Sequence, residues 1–230
     1  MKAIFFDFDG VLTTDKTGSL TTLRYLSAQT GISHGRLSSA FKKFNGDLNL
    51  GKVTHEGIWP ELCHSLGTAI DLSLLPRAFA STPINVGMFE LALRLKATYS
   101  VGIITDNKKD RIDHLKIHLA LPELFDPILV SAEVGCRKSE VGIFHRALSC
   151  LQVDANDCVF IDNDEGNLRV AQSLGINGVY FNDEANDIEA LVRTLTQQYG
   201  VDIPAPPNPS IERTSLSWLR QLKAAAHVER

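Results

Sequence analysis

Long apolar runs are missing from this sequence. No stretch approaches the roughly 20 residues that a membrane helix needs, so no membrane partner is expected. Cysteine is scarce, with four residues in 230 and no C-x-x-C pair, and these read as reduced thiols of a cytoplasmic protein. Positive charge is not in excess: 23 Lys and Arg stand against 27 Asp and Glu, a net charge of -4. That balance gives no reason to expect a nucleic-acid partner. Internal repeats, a G-x-G-x-x-G fingerprint and a P-loop are also lacking. The short apolar run at the start is broken by Asp7 and Asp9, too short and too acidic for a signal peptide.

What is present is a globular composition, 44% hydrophobic and 22% charged. It suffices for one sizeable domain or for one domain with a smaller insertion. Five short apolar runs rich in β-branched and aromatic residues cover 2–6, 100–105, 127–131, 157–162 and 178–181. They are too continuously apolar to keep one face in water, which is the pattern of buried parallel strands. Helical spacing alternates with them over 87–97, 110–120, 140–151, 166–174 and 186–198. The expected fold is therefore α/β, a doubly wound and mainly parallel sheet.

One stretch breaks the alternation. Residues 14–82 contain no convincing strand, but helical patterns over 20–29, 34–44, 54–66 and 72–80, punctuated by Gly31, Gly46, Gly51 and Gly67. This predicts a helical cap inserted after the first strand, with 1–13 and 83–203 forming the core. Residues 204–230 read as a Pro-rich linker followed by an amphipathic helix over 210–228.

Polar chemistry collects at the strand ends. Asp7-Phe8-Asp9-Gly10-Val11 leaves the first strand, and two carboxylates so close repel each other unless a cation offsets them. Asp162-Asn163-Asp164-Glu165 follows the fourth run, Thr105-Asp106-Asn107 the second, and Arg137-Lys138 the third. In a parallel sheet all four groups share the carboxyl edge, where open α/β sheets bind ligands.

This order of residues resembles the haloacid dehalogenase (HAD) superfamily, in the branch with a helical cap after the first motif. The resemblance covers residues 1–182. It implies a Mg²⁺-dependent phosphatase acting on a small phosphorylated metabolite through an aspartyl-phosphate. Asp7 is then the nucleophile, Asp9 the general acid and base, and Thr105 a hydroxyl donor to the phosphoryl group. Lys138 neutralises charge, and Asp106 is placed beside Thr105 and Lys138 at the substrate. The implied Mg²⁺ ligands are Asp7, Asp9 through its backbone carbonyl, and Asp162. The acid at Asp9 favours phosphate esters over halides, because a halide leaves without a proton. Asn163 stands where relatives often carry a second Asp, and Ser139 where they often carry proline. The alternatives are a sugar phosphomutase of the β-phosphoglucomutase type and a non-catalytic phospho-ligand binder.

Other residues carry weaker signals. His114 and His118 lie four apart on a helix but have no third ligand nearby, so a packing role is expected. Lys42, Lys43, Asn45, Lys52, His55 and Trp59 are the cap candidates for substrate contact, with Trp59 better placed in a core. Cys136 reads as an inert thiol close to Lys138.

Overall fold

A computed structural model describes residues 1–205 of the chain. The apolar runs form five parallel strands: β1 (Ala3–Phe6), β2 (Ser100–Thr105), β3 (Ile128–Val130), β4 (Cys158–Asp162) and β5 (Asn177–Tyr180). Their order is β3-β2-β1-β4-β5. Ile4 pairs with Val101 on one side and Val159 on the other, so β1 is central.

The continuous hydrophobicity of β1 has a direct cause. Successive side chains point to opposite faces, and here both faces are buried. Ile4 and Phe6 enter an apolar cluster with helices α6 (Val86–Lys96), α7 (Lys109–His118) and α12 (Ile188–Tyr199). Ala3 and Phe5 enter the opposite cluster with α10 (Val141–Leu151) and α11 (Glu165–Ser173). Two short helices, α8 (Leu121–Leu124) and α9 (Ser131–Val134), flank β3. The third strand is shorter than its apolar run because Ser131 already opens α9. This is a doubly wound α/β fold. The strand order runs outward in opposite directions from β1, so the crevice between β1 and β4 is a topological switch point.

Between β1 and β2 the chain forms α1 (Gly18–Thr30), α2 (His34–Lys42), α3 (Asn45–Asn49), α4 (His55–Leu66) and α5 (Leu74–Ala80). These helices bury their own cluster, including Leu26, Leu37, Phe41, Trp59, Leu62 and Phe79. Trp59 is a core residue there, its indole N–H donating to the Ile70 carbonyl at 2.8 Å. The Thr54 hydroxyl caps α4 by accepting from the Gly57 N–H at 3.1 Å. The sequence pattern gave no warning of α3. Gly46 and its two asparagines are poor helix formers, and burial of Leu48 supports the turn instead.

The chain leaves and re-enters the sheet layer side by side. Thr13 and Ile84 form an antiparallel bridge, Thr14 donates its N–H to Pro83 at 3.0 Å, and Asn85 donates to Leu12 at 2.9 Å. Among the described residues no helix is long and apolar enough to cross a membrane. All four cysteines are free. The helix expected over 210–228 lies outside the described residues.

Candidate active site

The ends of β1, β2 and β4 and the loop beyond β3 and α9 deliver polar groups to the same edge. Asp7 follows β1, and its Oδ1 accepts the Phe8 N–H at 2.7 Å. The turn that continues from it needs a glycine at position 10. Gly10 has φ of +80°, and a Cβ there would lie 2.2 Å from the Asn163 amide. Thr105 closes β2 and is buried. Lys138 comes up after α9, with Nζ 2.7 Å from Asp7 Oδ2 and 2.8 Å from Asp162 Oδ2. Asp162, at the end of β4, is fully buried. Its Oδ1 accepts the Asp164 N–H at 2.7 Å, and its Oδ2 also accepts from the Asn167 amide at 3.1 Å. Asp106 Oδ1 accepts the backbone N–H of Lys138 at 2.9 Å, so this carboxylate holds the loop that carries the lysine.

Electrostatics follow from this crowding. Burial, with Asp162 and Asp9 nearby, pushes the Asp7 carboxyl up to about 8 against the pull of Lys138. Burial works against the Lys138 ammonium too, but the Asp7 and Asp162 carboxylates outweigh it and hold its pKa above the usual lysine range. With both acids ionised, one ammonium between two carboxylates leaves one negative charge in a water-poor site, which is why the Asp7 proton is held so firmly when no further cation is bound. A further cation would balance that charge. No three acidic, imidazole or thiol side chains among the described residues converge to cage an ion by themselves. The available side-chain donors are the Asp7 and Asp162 carboxylates. That oxygen set suits Mg²⁺, which binds through one or two carboxylates and keeps several waters.

Asp9 is differently employed. Arg111 on α7 donates Nη1 to Asp9 Oδ2 at 2.9 Å and Nη2 to Asp9 Oδ1 at 2.8 Å, and Asn107 donates to Oδ2 at 2.8 Å. Arg111 has no exposed surface, and a Cβ on Gly18 would lie 2.2 Å from its guanidinium. The sequence reading missed both Arg111 and this role of Asn107. Arg111 sits in the charged run Lys109-Asp110-Arg111, which looks solvated. Its four-residue spacing from buried Leu115 was the available signal.

These groups open into a cavity of about 680 Å³ between the sheet edge and the helical layer. Asp7, Asp9, Thr105, Asp106, Lys108 and Lys138 line it from one side, and Ser19, Asn45 and Asn49 from the other. Of the six helical-layer candidates only Asn45 lines it. Lys43 pairs with Glu61 at 2.6 Å and Lys52 with Asp47 at 3.7 Å. His55 is buried, with Nδ1 2.7 Å from Asp110 Oδ2 across the two layers. The Ser131 hydroxyl makes a similar tie, donating to the Asn49 carbonyl at 2.7 Å while accepting the Asn107 N–H at 3.0 Å. His114 and His118 stack with ring centroids 5.7 Å apart, and His114 also packs on Phe79. Cys136 does not line the cavity.

Comparison with known proteins identifies the family. The family model of haloacid dehalogenase-like hydrolases matches residues 1–175. The bifunctional epoxide hydrolase 2 of Rattus norvegicus is 28% identical over 233 residues, covering 91% of this chain. This chain spans 42% of that relative's length. The glyceraldehyde 3-phosphate phosphatase of Pyrococcus abyssi is 25% identical over 195 residues, covering 79% of this chain and 81% of its own. Among solved structures, a HAD-like family hydrolase from Porphyromonas gingivalis superposes with a TM-score of 0.67 at 20% identity, covering 85% of this chain and 98% of its own. A HAD family enzyme from Bacteroides thetaiotaomicron, in complex with magnesium and inorganic phosphate, gives 0.64 at 20% identity, with coverage of 78% and 93%. With three quarters of its length under the family model and the same fold in these structures, the chain belongs to the haloacid dehalogenase-like hydrolases.

Proposed function

We propose that this chain is a Mg²⁺-dependent phosphoric monoester hydrolase, with a small phosphorylated metabolite as substrate and an aspartyl-phosphate as intermediate. The observation that carries this reading is the Asp7–Lys138–Asp162 triplet, a buried carboxylate aimed at a cavity with a cation fixed beside it. The phosphatase from Pyrococcus abyssi and the magnesium and phosphate bound to the Bacteroides thetaiotaomicron enzyme support it.

Each residue has a task that its surroundings suit. Asp7 Oδ2 attacks phosphorus, the bond to the ester oxygen breaks, and the phosphoryl group passes to Asp7. One oxygen of Asp7 is already fixed by the Phe8 N–H, which limits the carboxylate's rotation. Asp9 gives a proton to the departing alkoxide. In the second half it takes a proton from water, whose oxygen attacks phosphorus and releases orthophosphate from Asp7. Thr105 donates its hydroxyl to a phosphoryl oxygen, and Lys138 offsets the charge gathered on the transferring group. Asp106 holds the backbone of Lys138 in place. Asp7, Asp162 and the Asp9 carbonyl would hold Mg²⁺, which when bound neutralises phosphoryl charge. The helical layer over residues 14–82 serves as the cap that covers the substrate and excludes water, with residues 1–13 and 83–203 as the catalytic core. The cavity volume of about 680 Å³ lies in the range that small-molecule ligands fill.

Hydrolysis of p-nitrophenyl phosphate, with and without Mg²⁺, tests the reading, with Asp7→Asn as control. Turnover that needs the metal and vanishes in the variant is expected. Full activity in Asp7→Asn would overturn the assignment of the nucleophile.

A further inference from the structure

The cavity holds a buried cation for which the chemistry above has no use. Lys108, in the loop between β2 and α7, is only 8% exposed and lines both the main cavity and a small adjoining hollow next to Ser19 and Asn45. Its Nζ donates to the Ser19 hydroxyl at 2.7 Å. Among the described residues no carboxylate lies within ion-pair distance of it.

The other cations of this cavity are committed or exposed. Lys138 is held by Asp7 and Asp162, and the nearby Arg111 by Asp9. Lys16 and Arg169 are solvated side chains at its rim. A buried ammonium hydrogen-bonded to one neutral hydroxyl bears a desolvation cost that the more distant Asp9 and Asp110 carboxylates offset only in part. Burial and the neighbouring Arg111 accordingly depress its pKa to about 8. Such a group is costly in the free protein and useful once an anion arrives. Lys108 lies three residues beyond Thr105, in the same cavity, so a ligand could reach both.

We propose that Lys108, with Ser19 and Asn45, forms a second anion subsite that receives an oxyanion, carboxylate or second phosphate, carried by the substrate apart from its scissile phosphoryl group. The subsite selects dianionic or polyanionic metabolites over neutral alkyl phosphates. Lys108 supplies the charge, Ser19 orients the ammonium and can donate to the oxyanion, and the Asn45 amide adds a further donor. The inference rests on the phosphate site proposed above.

Equilibrium binding separates the two. Calorimetric titration of the full chain in Mg²⁺ buffer would compare propylphosphonate with 3-phosphonopropionate and with propane-1,3-bisphosphonate. At least tenfold tighter binding of one two-headed probe is expected, and which probe gains identifies the carboxylate or the phosphate as the preferred group. Lys108→Met should bring that ratio close to one, and Lys108→Arg should retain part of it. A ratio near one in the wild type, or a ratio unchanged in Lys108→Met, overturns the subsite. If the ratio holds but p-nitrophenyl phosphate is not hydrolysed, the subsite stands and the phosphatase reading falls. If no phosphonate binds, the phosphate site is wrong and the subsite falls with it.

Discussion

Arg111 holds both carboxylate oxygens of Asp9 in a two-pronged ion pair, at 2.9 and 2.8 Å, inside the protein. Parallel hydrogen bonds of this kind fix direction as well as charge. The residue proposed as proton donor is thus oriented from the side of α7.

Breaking such a pair from one side leaves the other charge buried alone. Arg111→Met is expected to cost about 3–5 kcal/mol of stability. The same change in an Asp9→Asn background should cost clearly less, because the stranded carboxylate is gone. Denaturant melts of the four proteins in the cycle measure the coupling, and additive losses would show that the pair carries no net interaction.

Asp9→Asn has a chemical signature as well. Nitrophenolate leaves without a proton, whereas an alkoxide needs one. The first phosphoryl transfer from p-nitrophenyl phosphate is expected to survive in part, visible as a burst of nitrophenolate. Hydrolysis of an alkyl phosphate should fall by about 10²–10⁴-fold. Equal losses on both esters would remove Asp9 from the proton-transfer role.

Lys108 predicts a pH-dependent stability. With its pKa lowered to about 8, its ammonium is charged in both the folded and unfolded chain below that pH, and only the folded chain bears the desolvation. Above the ordinary lysine value of 10.5 both forms are neutral and the penalty is gone. The charges around it are Arg111 and Asp110 on α7, Asp9 after β1, and Arg137 before Lys138. Lys108→Met should therefore raise stability at pH 7 by up to about 3 kcal/mol. The gain should shrink as pH climbs from 8 towards 10.5. Thermal melts across that range are the check, and a gain independent of pH would assign it to packing.

Gly10 offers a test of the turn between the two acids. Gly10→Ala places a methyl on a left-handed backbone and against the Asn163 amide. A cost of about 1–3 kcal/mol is expected, together with a large drop in kcat from displacement of Asp7 and Asp9. Asn163→Ala in the same chain relieves the contact but not the backbone strain, so it should restore part of the stability. Full activity of Gly10→Ala would show that the turn tolerates a shift.

The strands were legible because burial on both faces removes polar residues from them, as Phe5 and Phe6 show on opposite sides of one sheet. The strand-end acids were legible because carboxylates such as Asp7 and Asp162 have no reason to follow apolar runs unless something there uses them. Arg111 was not, since a buried arginine and a solvated one look alike among charged neighbours. Its contacts with Asp9, 102 positions away, and with Thr82 distinguish it in the fold. Lys108 escaped notice for the same reason. Helix α3 was hidden because tertiary burial of Leu48 overrides poor local propensity.

The Thr13–Ile84 bridge makes the two chain crossings into a single ribbon. A layer hung from one ribbon is joined to the sheet by chain at a single place, like a door on one post, and a swing about that post is the motion its connectivity leaves open. Swinging would part Ser131 from Asn49, Asp110 from His55, and Lys108 from Ser19. Asp7, Thr105, Lys138 and Asp162 all stay with the frame.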